Sequence, residues 1–303
     1  MFPSFQDTNR NPKLPLEDHL YCEEPILCLP YFQMAVATKT LQSLTWSAQE
    51  KLLNLTLNNN LLKMYPVSSN FCRLFLKNIL KCLEGRQDVH ESIYDYLCSI
   101  MSNKQGIDDF YYRHYVIGSN FSQIVTLKES NNMVVNGTTG MKTWEAARLL
   151  TDWILTNKTF FYNKKILELG SGIGFTGITV TKFCETTSVT LTDCHEDVLN
   201  AINENIIINF PVTRVMMLDW NDIDQIEVPD IPDIIIGADI VYDPCILEPL
   251  CKVLQSFFLK NKSISAFIAC VIRNEDTFNK FIQTLVSSRY VFIQFCRKNE
   301  FIS

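Results

Sequence analysis

No stretch of this 303-residue sequence approaches the ~20 consecutive apolar residues that a membrane-spanning helix requires, so a helical membrane protein is not expected. Glycine and proline are sparse, at 10 and 11 residues, and no low-complexity tract occurs, which excludes collagen-like and disordered classes. Basic residues are also short: 27 Lys and Arg stand against 33 Asp and Glu, a net charge of −6, with nothing clustered to neutralise phosphates. Nucleic acid is therefore not an expected partner. The eleven cysteines never form a Cys-x-x-Cys pair, and His19, His90, His114 and His195 lie far apart. No metal is expected, and the cysteines read as small apolar residues. The opening MFPSFQDTNRNPKLP lacks both a basic start with an apolar core and an Arg-rich amphipathic pattern, so the expected location is the cytoplasm.

What is present divides the chain in three. Residues 1–24 read as a disordered N-terminus. Residues 25–135 read as a helical cap followed by short β segments. Its apolar positions recur at three- and four-residue steps: Leu41, Leu44, Leu52 and Leu55, then Phe71, Leu74, Phe75, Ile79 and Cys82, with Pro66 as punctuation. Tyr111–Ile117 and Gln123–Leu127 read as extended, and Asn136-Gly137 is a turn signal. Residues 136–303 open with a helix over Lys142–Thr156 on which Trp144, Ala147, Leu150, Thr151 and Leu155 share a face.

From Lys165 onward, apolar runs alternate with helical stretches. The runs are Lys165–Leu169, Val189–Thr192, Val215–Leu218, Asp233–Gly237, Ile264–Val271 and Tyr290–Phe295. This alternation predicts an α/β fold with a parallel, Rossmann-like sheet covered on both faces. Ligands then bind beyond the carboxyl ends of the strands, so functional residues belong just after each run.

The first of these tips reads Glu168-Leu169-Gly170-Ser171-Gly172-Ile173-Gly174-Phe175. Glycines there let a ligand approach the backbone at a helix N-terminus. A dinucleotide fingerprint would need glycine where Phe175 stands, whereas Glu-x-Gly-x-Gly-x-Gly is filled, a spacing that favours S-adenosylmethionine. No Gly-Lys-Ser/Thr follows, which excludes a P-loop. The second tip carries Asp193, a carboxylate able to accept from two ribose hydroxyls. The third carries Asp219, which can accept from an adenine amine, and Trp220, an aromatic face. The fourth reads Ala238-Asp239-Ile240-Val241-Tyr242, with Ile240 and Val241 where a base-gripping methyltransferase places prolines. A nucleobase target is thereby disfavoured.

Taken together, GTTGMKTWEAARLL, ILELGSGIGFTG, LTDCHEDVL, LDW, Asp239-x-x-Tyr242 and VIRNEDTF resemble the seven-β-strand protein lysine methyltransferases. Their order, behind a helical N-terminal region, is similar to the branch that acts on eukaryotic elongation factor 2. The resemblance implies S-adenosylmethionine as cofactor, elongation factor 2 as protein partner, and methyl transfer to a lysine side chain. It places Trp144, Gly170, Ser171, Gly172, Asp193, Trp220 and Ala238 against the cofactor, and Asp239 and Tyr242 at a substrate-facing rim. Asp239 is expected to orient the lysine ammonium. Eight acids between Asp219 and Asp243, with no Lys or Arg between Arg214 and Lys252, suggest a negative entrance for that lysine.

The family sheet closes with a final antiparallel strand, and the sequence ends seven residues after Cys296, which follows the sixth run, so that strand is expected to be missing. A methyltransferase of another protein or of a small molecule, and a non-catalytic cofactor-binding scaffold, stay open as alternatives.

Overall fold

The computed structural model describes residues 45–102, 109–117, 123–225 and 230–287. The expected disorder at 1–24, the positions Leu41 and Leu44, and the sixth run at Tyr290–Phe295 lie outside these residues. Among the described residues, four helices come first: α1 (Trp46–Leu55), α2 (Asn60–Met64), α3 (Ser69–Leu83) and α4 (Glu91–Ser102). Each of the first three starts behind a side-chain cap, where Thr45, Asn59 and Ser68 accept from backbone N–H groups of the first turn. The buried stripe of α3 is Phe75, Leu76, Ile79, Leu80 and Leu83, closed by Leu53 and Ile93. Leu74, expected on that face, is exposed instead, because the stripe runs through Leu76 and Leu80, displaced by part of a turn.

A β-hairpin follows, β1 (Phe110–Ile117) and β2 (Gln123–Ser130), paired antiparallel along its whole length. Its His114 links two regions: Nδ1 lies 2.9 Å from the Thr126 hydroxyl and Nε2 3.0 Å from the Tyr65 carbonyl that follows α2. Burial holds its pKa below the usual histidine value. The hairpin shares a core with the sheet that follows, since Tyr115, Val125 and Leu127 pack with Ile166, Leu191 and Ile234.

That sheet contains β3 (Lys165–Leu169), β4 (Ser188–Asp193), β5 (Arg214–Met217), β6 (Ile234–Ala238) and β7 (Ser265–Ala269). Its spatial order is β5-β4-β3-β6-β7 and every neighbouring pair is parallel. The helices are α5 (Glu145–Thr156), α6 (Phe175–Phe183), α7 (Glu196–Asn209), α8 (Leu247–Lys260) and α9 (Glu275–Ser287). Alternate residues feed opposite faces: Ile166, Ile234 and Ile236 enter one core, Leu167, Leu169 and Ile235 the other. The unbroken apolar character of these runs is what burial on two sides demands. The order reverses direction at β3 and β6, so their carboxyl ends open a crevice.

The outward edge of β2 is closed by two amides of α7. Asn209 accepts from Thr126 N and donates to Thr126 O, and Asn205 accepts from Lys128 N at 2.8 Å. Asn205 also donates to the Ile173 carbonyl, 3.0 Å away, in the turn that follows β3. Among the described residues, no helix is long and apolar enough to cross a membrane, and no group of three or more His, Cys, Asp or Glu is placed to hold a metal.

Candidate active site

The turn after β3 is shaped by positive backbone angles, φ +59° at Gly170 and φ +53° at Gly172. Neither position has room for a side chain. A Cβ on Gly170 would sit 2.8 Å from the Ile240 side chain and 3.5 Å from the Trp220 ring; one on Gly172 would sit 2.9 Å from the Gly140 carbonyl oxygen. The turn thus brings the β3, β5 and β6 tips and the Asn136–Thr143 segment into contact. Ser171 ties it to β4, donating its N–H to Thr192 O at 2.8 Å and accepting from Thr192 N at 3.0 Å.

Asp193, the last residue of β4, reaches back to the same turn. One carboxylate oxygen accepts from Gly172 N at 3.1 Å; the other accepts from Cys194 N and His195 N. Burial raises its pKa, and these three N–H donors pull against that rise. Inside β3, Glu168 is fully buried and accepts from Gly177 N at the start of α6 at 3.0 Å. Burial pushes its pKa up to about 8, against the opposing pull of hydrogen bonds at Ser171, Gly177 and Thr176.

Trp144 stands immediately before α5, its indole N–H donating to the Thr139 carbonyl at 3.1 Å. The preceding Asn136 and Gly137 both have positive φ, and Val135 and Thr138 exchange two backbone hydrogen bonds across them. That is the two-residue turn their sequence predicts. Ala238 ends β6, and Tyr242, four residues on, is half exposed at the surface of the following turn. The sequence-predicted positions Trp144, Gly170–Gly172, Asp193, Trp220, Ala238, Asp239 and Tyr242 thus all lie at or beside the carboxyl ends of the parallel strands.

A family model described as lysine methyltransferase matches residues 122–288, just over half of the chain. The chain belongs to the lysine methyltransferase family. Protein-lysine N-methyltransferase EEF2KMT of Bos taurus is 30% identical over 295 residues, covering 82% of this chain and 84% of that protein. The Homo sapiens protein of the same name is 29% identical over 282 residues, with the same two coverages. Protein-lysine N-methyltransferase EFM3 of Chaetomium thermophilum is 29% identical over 183 residues, covering 57% of this chain and 54% of that protein. The family takes its methyl group from S-adenosylmethionine.

Within this lysine methyltransferase, two expectations about charge require correction. Asp239 does not present a free carboxylate at the rim: both of its oxygens accept from the Arg273 guanidinium, and the side chain is buried. Nor do the eight acids converge on one mouth. Asp230 pairs with Lys165 and Arg214, and Asp233 accepts from Lys165 N, which places both at the opposite, amino-terminal end of the sheet. Asp219 and Asp243 accept from N–H groups two residues on, at Asn221 and Cys245. Glu227 and the Asp224 side chain lie outside the described residues.

Three residues of the site carried no role in the sequence reading. Arg273 follows β7, where the strand-tip rule would have found it. Asn205 gave no signal, because its partners are backbone groups distant in sequence. Glu129 stands on the same face of β2 as Val125 and Leu127, an acid on an apolar stripe. There it accepts from the Tyr115 hydroxyl at 2.6 Å and from the Thr143 hydroxyl at 2.8 Å, with Arg113 Nε 3.7 Å away. Thr143 adjoins Trp144, so the hairpin positions the wall of the site.

Proposed function

We propose that this lysine methyltransferase modifies a lysine of elongation factor 2 in the cytoplasm, with S-adenosylmethionine held across the tips of β3 to β6. The observation that carries the reading is the span of the likeness. EEF2KMT proteins of two mammals match 82% of the chain, well beyond the 122–288 core, and so take in helices and hairpin ahead of the sheet as well as the glycine turn. On this reading, residues 25–135 are the accessory region and 136–303 the methyltransferase domain.

The residues at the strand tips fit such a cofactor. Backbone at Gly170, Ser171 and Gly172, bare of bulky side chains, suits its methionine and ribose. Asp193, at the tip of β4, already accepts three backbone N–H groups and keeps one acceptor site, on the oxygen that Gly172 N reaches, for a ribose hydroxyl. Trp220, whose ring would lie 3.5 Å from a Cβ on Gly170, would offer an aromatic face to the adenine. Backbone at Ala238 would hold the methionine portion, and Trp144 would face it. When bound, the cofactor supplies an electrophilic methyl on a sulfonium.

The chain's own contribution is then orientation. In-line displacement demands a lysine nitrogen held on the axis of the bond that breaks, and a fixed site supplies most of the acceleration by positioning. The amine must also be neutral, although a free lysine has a pKa near 10.4. Tyr242 is exposed at the rim, with a hydroxyl and a ring face for the entering side chain. Incubating purified elongation factor 2 with this protein and cofactor, then mapping lysine masses by mass spectrometry, tests the proposal. A methylated lysine is expected; an unmodified factor would sink it.

A further inference from the structure

Arg273, just after β7, meets the end of β6 at Asp239 and the N-terminus of α5 at Trp144. Its two terminal nitrogens donate to the two carboxylate oxygens of Asp239, each at 3.1 Å, and its guanidinium lies 5.5 Å from the centre of the Trp144 ring. Asp239 itself stands in the left-handed region at φ +56°, unusual for a non-glycine residue. Its N–H donates to Ala269 O at 2.8 Å, and Oδ1 takes a further hydrogen bond from Val271 N at 3.1 Å. The Asp239 side chain is 4% exposed while that of Arg273 is 45% exposed.

Those figures separate two roles for the acid. To meet a lysine ammonium, Asp239 would have to release a forked guanidinium, the geometry that binds carboxylate most specifically. The displaced contacts would include nearly all of the neutralisation that a buried carboxylate needs. As a tether the same pair is well built. It fixes the turn carrying Ala238 and Tyr242 to the end of β7, and it holds Trp144 beneath the guanidinium.

We propose that Arg273 is a positioning residue for methyl transfer, and that Asp239 acts on the reaction through Arg273 and not by contact with the substrate lysine. This rests on the reading in which the cofactor lies along Trp144, the glycine turn and Ala238. The test uses the full chain as wild type, Asp239→Asn, Arg273→Met, Arg273→Lys and the Asp239→Asn/Arg273→Met double variant, each checked for folding by circular dichroism. The probe is S-adenosylhomocysteine, titrated calorimetrically with no protein substrate present.

Each single change to Asn or Met is expected to weaken binding by about tenfold, the scale of one charge-assisted hydrogen bond, and the double variant no further. Arg273→Lys keeps charge and stem, so a partial loss there isolates the fork. With elongation factor 2 as substrate, Asp239→Asn is expected to lower kcat and leave KM for the protein unchanged. Unaltered binding in Arg273→Met, additive losses in the double variant, or a KM rise confined to Asp239→Asn would each overturn the proposal. If the wild type binds the probe but leaves elongation factor 2 unmodified, only the substrate assignment falls. A wild type that fails to bind the probe removes the cofactor reading and this proposal together.

Discussion

Replacing Gly172 by alanine loads the site twice, through the backbone angle and through the added methyl. Alanine at φ +53° carries the left-handed penalty of about 1–2 kcal/mol. Its methyl would also lie 2.9 Å from the Gly140 carbonyl oxygen, and 3.7 Å from two more backbone atoms of Gly140. Gly140 is itself tightly packed, since a Cβ built on it would meet the Val198 side chain at 2.9 Å. Relieving such a contact costs about 1–3 kcal/mol, so the expected loss is about 2–5 kcal/mol. Gly85→Ala is the control. Gly85 has φ +76° with nothing within 4 Å of the added carbon, so it should lose only the conformational part, about 1–2 kcal/mol. Urea unfolding of both variants, read as midpoint at constant slope, gives the comparison. S-adenosylhomocysteine affinity should fall at least tenfold for Gly172→Ala and stay unchanged for Gly85→Ala. Equal destabilisation by the two substitutions would refute the reasoning, since the Gly140 carbonyl would then not be a hard wall.

Glu168, with its pKa pushed up to about 8 by burial, keeps its proton in the folded chain over a range where the unfolded chain has lost it. Its contribution is present below the ordinary carboxylate range and is lost as pH rises toward 8, about 1.4 kcal/mol for each tenfold difference in proton affinity. Denaturant unfolding at pH 5 and pH 8 should show Glu168→Gln gaining on wild type as pH rises; a constant gap would count against the buried, protonated acid. Asn205→Leu leaves Lys128 N and Ile173 O without their buried partner, so a loss of about 2–4 kcal/mol is expected by chemical denaturation, and a neutral result would contradict the bridging role. Asp193→Asn keeps an acceptor for backbone N–H but loses the charge that ribose hydroxyls favour. Its amide nitrogen must face one of the N–H donors that now meet a carboxylate oxygen, so stability should fall by about 1–3 kcal/mol while cofactor affinity drops about tenfold, and unaltered affinity would remove Asp193 from the site.

Local chemistry was legible in the sequence wherever one segment sufficed. Strand positions in the sheet are anchored by runs such as Ile234–Ile236, whose unbroken apolar character reflects burial on both faces. The glycine turn and the Asn136-Gly137 turn were readable because positive φ is written directly in residue type. Relations between segments were not. The fork between Asp239 and Arg273 spans 34 residues, and sequence patterns give no distance across it. The acidic run misled for the same reason: Asp230 and Asp239 are nine residues apart, but β6 lies between them and carries them to opposite ends of the sheet.

The Asn205 side chain touches the hairpin with its oxygen and the glycine turn with its nitrogen. Neither neighbour can move away from α7 without breaking a bond on the amide that serves the other. Hairpin and glycine turn therefore form one cooperative opening unit, and amide hydrogens in both should exchange with solvent at a common free energy. A catalytic fragment trimmed to begin after Ser130 would leave that amide and Asn209 without their strand, and the glycine turn would loosen with it.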